Sequence, residues 1–253
     1  MQLQIGLALL VATLAYVGVG VTVGVRLVRL ALRSGGFAER MLGIACLTGP
    51  GVVAPCLVVV NALPEPVWAV RTSAFVAQLG YATFCTVMVL FTWQCFRPEE
   101  AWARWLTRAS IAAVLVGASL GIARALGLAE AADLKDMDHV SYRLIIVASL
   151  VGQAWTGLEA FAYYVRMRKR SRLGLADPVV MNRFLLWGLV ATAAMVASGV
   201  PLGVGLLGGD TYNDVPSRLA GAAATIFGTV CLQLAFLPPR SYVAWLRARA
   251  AVA

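Results

Sequence analysis

Residues 142–165 read YRLIIVASLVGQAWTGLEAFAYYV, and residues 166–172 continue RMRKRSR. The first string is long enough to cross a bilayer as a helix, which takes about 20 predominantly apolar residues. The second is almost wholly basic. An apolar run that ends in a block of arginines is the pattern of a membrane helix with its cytoplasmic end marked. Reading outward at this length gives seven such runs, roughly 3–25, 41–62, 68–96, 105–127, 142–165, 184–207 and 219–237. Lipid satisfies no backbone N–H or C=O, so runs of this length are expected as helices. The expected architecture is all-α: one polytopic, seven-helix transmembrane bundle over residues 1–253.

Composition agrees with this reading. Of the 253 residues, 60% belong to the AVILMFWYC set and 13% are charged, with mean hydropathy +0.81. Soluble domains carry about 45–50% apolar and about 25% charged residues. Too few charges remain to cover a soluble surface or to build a separate catalytic or nucleic-acid-binding domain. The first run has no basic residue before it and basic residues after it, so it is expected to stay as a span and not to act as a signal peptide.

Charge sets the direction. Of the 21 Lys and Arg residues, 16 lie between spans one and two, three and four (with Arg108 at the start of span four), five and six, or after span seven. The remaining five are Arg71, Arg124, Lys135, Arg143 and Arg218. The positive-inside rule therefore predicts an outer N-terminus and a cytoplasmic C-terminus. The net charge of +9 follows from this bias and calls for no nucleic acid. The longest cytoplasmic loop is expected between spans five and six. Its basic stretch 166–172 has two readings, a topology determinant beside anionic headgroups or a dock for a cytoplasmic partner. A homo-oligomer is also an open expectation.

The two ends of the chain align without a gap at an offset of 140 residues. Phe96-x-Pro98-x-x-x-Trp102-x-x-Trp105-Leu106 then matches Phe236-x-Pro238-x-x-x-Tyr242-x-x-Trp245-Leu246. One reading is a 3+1+3 parallel repeat, with spans one to three duplicated as five to seven. The other is two independent interfacial helices, opened by proline and anchored by aromatic rings. Span two carries Gly49-Pro50-Gly51 and Pro55, and span six carries Gly199 and Pro201. Helix breaks at Pro50, Pro55 and Pro201 in corresponding spans are either structural kinks or pointers to a transporter's binding site.

Glu159 is the one acidic residue well inside a span. At helical spacing it shares a polar stripe with Gly152, Thr156, Tyr163 and Arg166, which is expected to face other helices. A structural ion pair, with Arg183 as a partner, competes with a proton- or cation-sensing role. Arg71, Arg124, Arg143 and Arg218 lie near the outer span ends. If they converge they form a ligand-binding vestibule for anions; otherwise they snorkel to headgroups.

Several chemistries are excluded. The five cysteines all lie in apolar runs with no C-x-x-C, so neither a disulfide nor a metal site is expected. His139 follows Asp133, Asp136 and Asp138 at a spacing that matches no metal motif, and a solvated loop is expected there. The arrangement is rhodopsin-like, but Lys135 and Lys169 are the only lysines and both lie in loops, so no retinal lysine exists. Glu99-Glu100-x-x-x-Arg104 matches an intramembrane-protease pattern formally, yet the intramembrane histidines which that chemistry needs are missing. No cofactor is expected, and the chain is read as no enzyme.

Residues 173–187, LGLADPVVMNRFLLW, resemble a segment that recurs in uncharacterised bacterial seven-span integral membrane proteins, and the Gly/Pro-rich second span is similar to theirs. The resemblance covers roughly a third of the chain. It implies a multi-pass protein of the bacterial inner (cytoplasmic) membrane and no particular activity. Asp177 is expected to cap a helix that Pro178 opens. On these grounds the first reading of function is a receptor or sensor that binds a small ligand from the outer face and signals to a separate partner. The alternative is a small-solute transporter of 3+1+3 architecture. SWEET-type sugar transporters share that topology, but their Pro-Gln pair is absent here.

Overall fold

A computed structural model describes residues 2–62, 66–128, 134, 139–171, 173–209 and 214–252. Those residues are helical throughout their ordered elements, with no strand among them. Helix α1 spans Gln2–Ser34. Helix α2 runs as Phe37–Thr48, a wide π turn Gly49–Val53, and Ala54–Ala62. Helix α3 is Val67–Phe96, and α4 is Ala101–Ala123 ending in a π turn Arg124–Leu128. Then follow α5 (Val140–Ser171), α6 (Pro178–Leu206), α7 (Val215–Phe236) and the short α8 (Arg240–Val252). Among the described residues, helices α1 to α7 are the seven that are long and apolar enough to cross a membrane. Leu14, Leu158 and Leu115 stand exposed on them, as lipid-facing side chains do.

The helices outrun their apolar cores. The basic stretch expected as a loop is helix as far as Ser171, and α1 likewise carries Arg26, Arg29 and Arg33 within its last turns. Arginine has good helix propensity, and at the membrane surface water can take over the solvation of its head group while the backbone stays helical. Arg172 lies outside the described residues. As the sequence predicts, the Asp177 carboxylate accepts the Val179 N–H at 2.8 Å and Pro178 opens α6. Asp214 caps α7 in the same way through the Ser217 N–H at 2.8 Å.

Helices α1, α2, α3, α5, α6 and α7 form a ring in which α1 meets α7 and α3 meets α5, while α4 packs outside against α3 and α5. Exchanging α1–α3 for α5–α7 maps one of those two closing contacts onto the other. The residues at offset 140 also share a backbone break. Arg97 ends α3 at φ −141°, ψ 50° and donates its N–H to Trp93 O, and Leu237 ends α7 at φ −129°, ψ 49° and donates to Gln233 O.

Helices α1 and α2 cross closely. Gly20 and Gly24 of a G-x-x-x-G pattern lie against Pro50, Leu47 and Gly43, and a Cβ at Gly20 would overlap the Pro50 ring. Small residues at such seams let helix backbones approach where no hydrophobic effect drives them together. A Cβ at Gly24 would meet Leu47 Cγ at 2.8 Å and the Gly43 carbonyl at 3.1 Å, whereas one at Gly18 meets nothing within 4 Å. Gly24→Ala is therefore expected to lose about 1–3 kcal/mol through overpacking, read as a lower melting temperature of the detergent-purified protein. Gly18→Ala, gaining the same helix propensity without the clash, is expected to be neutral or stabilising.

Candidate functional site

Pro50 has no N–H for the Cys46 carbonyl, and its ring crowds that turn. Helix α2 answers with a π turn, in which Ala54 N–H reaches back five residues to Gly49 O. Pro55 follows in the next turn. Helix α6 stays regular through Pro201. The two spans are thus not broken alike, and Pro201 corresponds at offset 140 to Asn61, not to Pro50.

Three neighbouring chambers lie along the centre of the ring. The widest, about 610 Å³, reaches Asn61, Pro201 and Arg218 at the end away from the arginine-rich helix termini. A central chamber of about 200 Å³ lies beside Gly49, Tyr81 and Gln153. A small chamber of about 70 Å³ ends among Pro50, Thr156 and Trp187. Tyr16 lines all three, so they lie in series along the ring. The walls are mainly apolar, with hydroxyl and amide groups set into them. Gln153 Nε2 donates to Ser149 Oγ at 2.9 Å, but Gln153 Oε1 is buried with no protein partner among the described residues. Trp187 Nε1 is likewise buried and without one. Both residues line the smallest chamber, although the two atoms themselves are packed among protein groups.

Below that chamber the bundle is closed by aromatic rings. Trp187 packs edge-on to Phe91 and Phe236, with centroids 6.3 and 5.7 Å apart, and Phe91 packs on Phe96 at 5.8 Å. The polar stripe of α5 lies alongside, with Gly152, Thr156 and Glu159 toward α3. Thr156 Oγ1 meets Thr92 Oγ1 at 2.6 Å in a fully buried contact. Tyr163 packs on Phe96 and stacks on Phe184.

Glu159 finds a different partner from the one expected. Its Oε1 accepts from Arg97 Nε at 2.7 Å, while Arg166 Nη2 stands 4.0 Å from Oε2 over the Tyr163 ring. Arg183 points to the surface. Arg97 is reachable because α3 stops at Phe96, which turns the next side chain inward to the carboxylate. The hydrogen bond and charge of Glu159 in turn hold the Arg97 guanidinium above its ordinary range.

The four arginines at the opposite end do not act alike. Arg71 donates to the Ala125 carbonyl at 3.3 Å, tying α3 to the π turn of α4. Arg124 lies in that turn and Arg143 in the first turn of α5, and Arg218 is the one of the four that lines the widest chamber. His139 Nδ1 accepts the Ser141 N–H at 3.1 Å at the start of α5. Asp133, Asp136 and Asp138 lie outside the described residues. Among the described residues no cluster of His, Cys, Asp and Glu is arranged for a metal, and the five cysteines are free. Sequence reasoning did not single out Tyr16, Tyr81, Gln153 or Arg97. Gln153 carried a usable signal, as an amide in the middle of a span.

No protein-family model, curated protein or solved structure matches this chain.

The Arg97–Glu159 pair has a nearly buried carboxylate and a partly exposed guanidinium. Arg97→Ala leaves that carboxylate without its hydrogen-bonded partner and is expected to cost about 3 kcal/mol. Arg166→Ala, removing a more distant and exposed charge, is expected to cost less than about 1 kcal/mol. Thermal unfolding of the two variants checks the order, and equal losses would mean that the short contact carries no special weight.

Proposed function

We propose that the protein carries a small, uncharged, largely apolar solute across the membrane, entering from the outer side into the cavity between helices α1–α3 and α5–α7. The observation that supports this most is a mainly apolar cavity walled by all six ring helices, with Gln153 and Trp187, each bearing a buried polar atom that lacks a protein partner among the described residues, at its narrow end. A buried polar atom without a partner costs about 1–3 kcal/mol. A ligand with one donor and one acceptor on an apolar body would recover both. The cavity holds no acid or lysine among its described lining residues, which fits a facilitated carrier better than an ion-coupled pump.

The 3+1+3 reading supports the same conclusion. At offset 140, Pro50 pairs with Val190, Phe84 with Ala224 and Asn61 with Pro201, and each of these residues lines the cavity. Transporter sites commonly lie at such a repeat interface. In this reading the Phe91–Trp187–Phe236 layer and the Arg97–Glu159 pair form the inner gate, on the cytoplasmic side of a bacterial inner membrane. Passage requires both to part, and no chemical step is involved.

A second reading, a sensor, is favoured by the closure of the cavity at its basic end. A ligand could shift the rings without passing them, and the basic end of α5 would convey the shift to a cytoplasmic partner. Cysteine labelling separates the two. In a background with the five native cysteines replaced, Ala194→Cys places a thiol at the wall shared by the central and smallest chambers. A carrier is expected to react with a membrane-impermeant maleimide both in right-side-out and in inside-out vesicles. Reaction from the outer side alone would favour the sensor. Absence of reaction from either side would overturn both.

A further inference from the structure

Helix α8 stands apart from most of the bundle and packs against α6. Between it and the basic ends of α5 and α6 lies a groove of about 800 Å³. We propose that this groove binds the headgroup of an anionic phospholipid, with an acyl chain along its apolar side. The groove is built by specific contacts. Asn182 Nδ2 donates to Tyr242 Oη at 2.9 Å, which fixes α8 against the start of α6. Tyr242 stacks on Trp245 with ring centroids 5.8 Å apart, and the Arg249 guanidinium sits 5.4 Å over the same indole.

Arg249 on one wall and Arg168 on the other both line the groove, and no Asp or Glu does among the described residues. The nearest acid in sequence, Asp177, already accepts the Val179 N–H as the cap of α6. Met181, Leu185 and Leu246 supply the apolar wall. Two guanidiniums over an apolar floor, at the depth where tryptophan and tyrosine rings lie in a bilayer, match a phosphate joined to hydrocarbon. Arginine forks bind phosphate oxygens in pairs, and basic pockets at the cytoplasmic ends of membrane helices hold lipid phosphates. The volume suits a headgroup, falling within the range of about 300–1,000 Å³ of small-molecule sites. A free phosphate would use the same arginines but not the apolar wall, so the lipid is the occupant that the whole groove fits.

The test uses the full chain purified in neutral detergent, with melting temperature followed as lipid is titrated in. Phosphatidylglycerol is expected to raise the melting temperature saturably, and phosphatidylcholine of the same chains is expected not to. The double variant Arg168→Ala/Arg249→Ala is expected to bind phosphatidylglycerol about tenfold more weakly. The control Arg240→Ala/Arg247→Ala removes the same charge from exposed α8 positions that do not line the groove, and is expected to bind as the parent does. Equal weakening by the control pair would overturn the site in favour of diffuse attraction. So would an equal response to phosphatidylcholine. Inorganic phosphate alone reproducing the full shift would overturn the lipid in favour of a free anion.

Discussion

A carbonyl freed inside a membrane cannot turn to lipid, and that constraint organises the centre of this bundle. Pro50 and Pro201 each withhold an N–H from the residue four positions back, Cys46 and Ala197. In hydrocarbon such groups are tolerated only against protein or beside a cavity. Both residues line the central path, Cys46 at its narrow end and Ala197 higher up. In α2 the π turn accommodates Pro50, and the ring of six helices, with α4 left outside, keeps both proline sites beside its interior. The close α1–α2 seam has the same origin, because the Pro50 ring fills the space that Gly20 leaves.

The second constraint is charge. A carboxylate inside a span must be paired, and Glu159 is held where α3 ends and Arg97 can turn inward. Had α3 continued as helix, the side chain at 97 would have followed the helix surface. The break at Arg97 thus serves the ion pair, and the matching break at Leu237 serves a neighbouring contact, where Arg26 Nη1 donates to Phe236 O at 3.3 Å. Both junctions tie a ring-closing helix pair together at the basic end, α3 to α5 and α7 to α1. They stand directly beneath the aromatic layer, so opening that end disturbs charge and packing together.

How much of this was legible follows from which forces act along the chain and which act across it. Spans are set by local apolar length, so the existence and order of all seven were readable. Their ends were not, because arginine at an interface continues a helix as readily as it starts a loop, as Arg166 to Arg170 show. The stripe Thr156, Glu159, Tyr163 and Arg166 was readable because helical spacing alone puts it on one face. The partner of Glu159 was not, since Arg97 reads as one more topology charge until the end of α3 aims it. Tyr16 and Gln153 were hidden for a different reason. A cavity is a property of six helices at once, and no periodicity of one helix reveals which of its faces meets empty space. The expected equivalence of Pro50 and Pro201 failed because a proline's effect depends on its neighbours: flanked by Gly49 and Gly51 it yields a π turn, while Pro201 near the end of α6 leaves that helix intact.

The cavity's chemistry limits what can occupy it more sharply than its size does. A charged solute would enter past Arg218 but meet no opposite charge deeper in, and transferring an unpaired ion into such a space is prohibitive. A purely apolar solute would leave Gln153 Oε1 and Trp187 Nε1 as costly as before. On the proposed reading, a molecule with an apolar body and a single polar edge would satisfy both atoms at the narrow end, against the aromatic rings. Its binding energy would then be released where Trp187 meets Phe91 and Phe236, and a ligand that drew the indole N–H toward itself would act directly on that layer. On the proposed carrier reading, recognition and gating would share one residue, so the step that selects the solute would also load the gate.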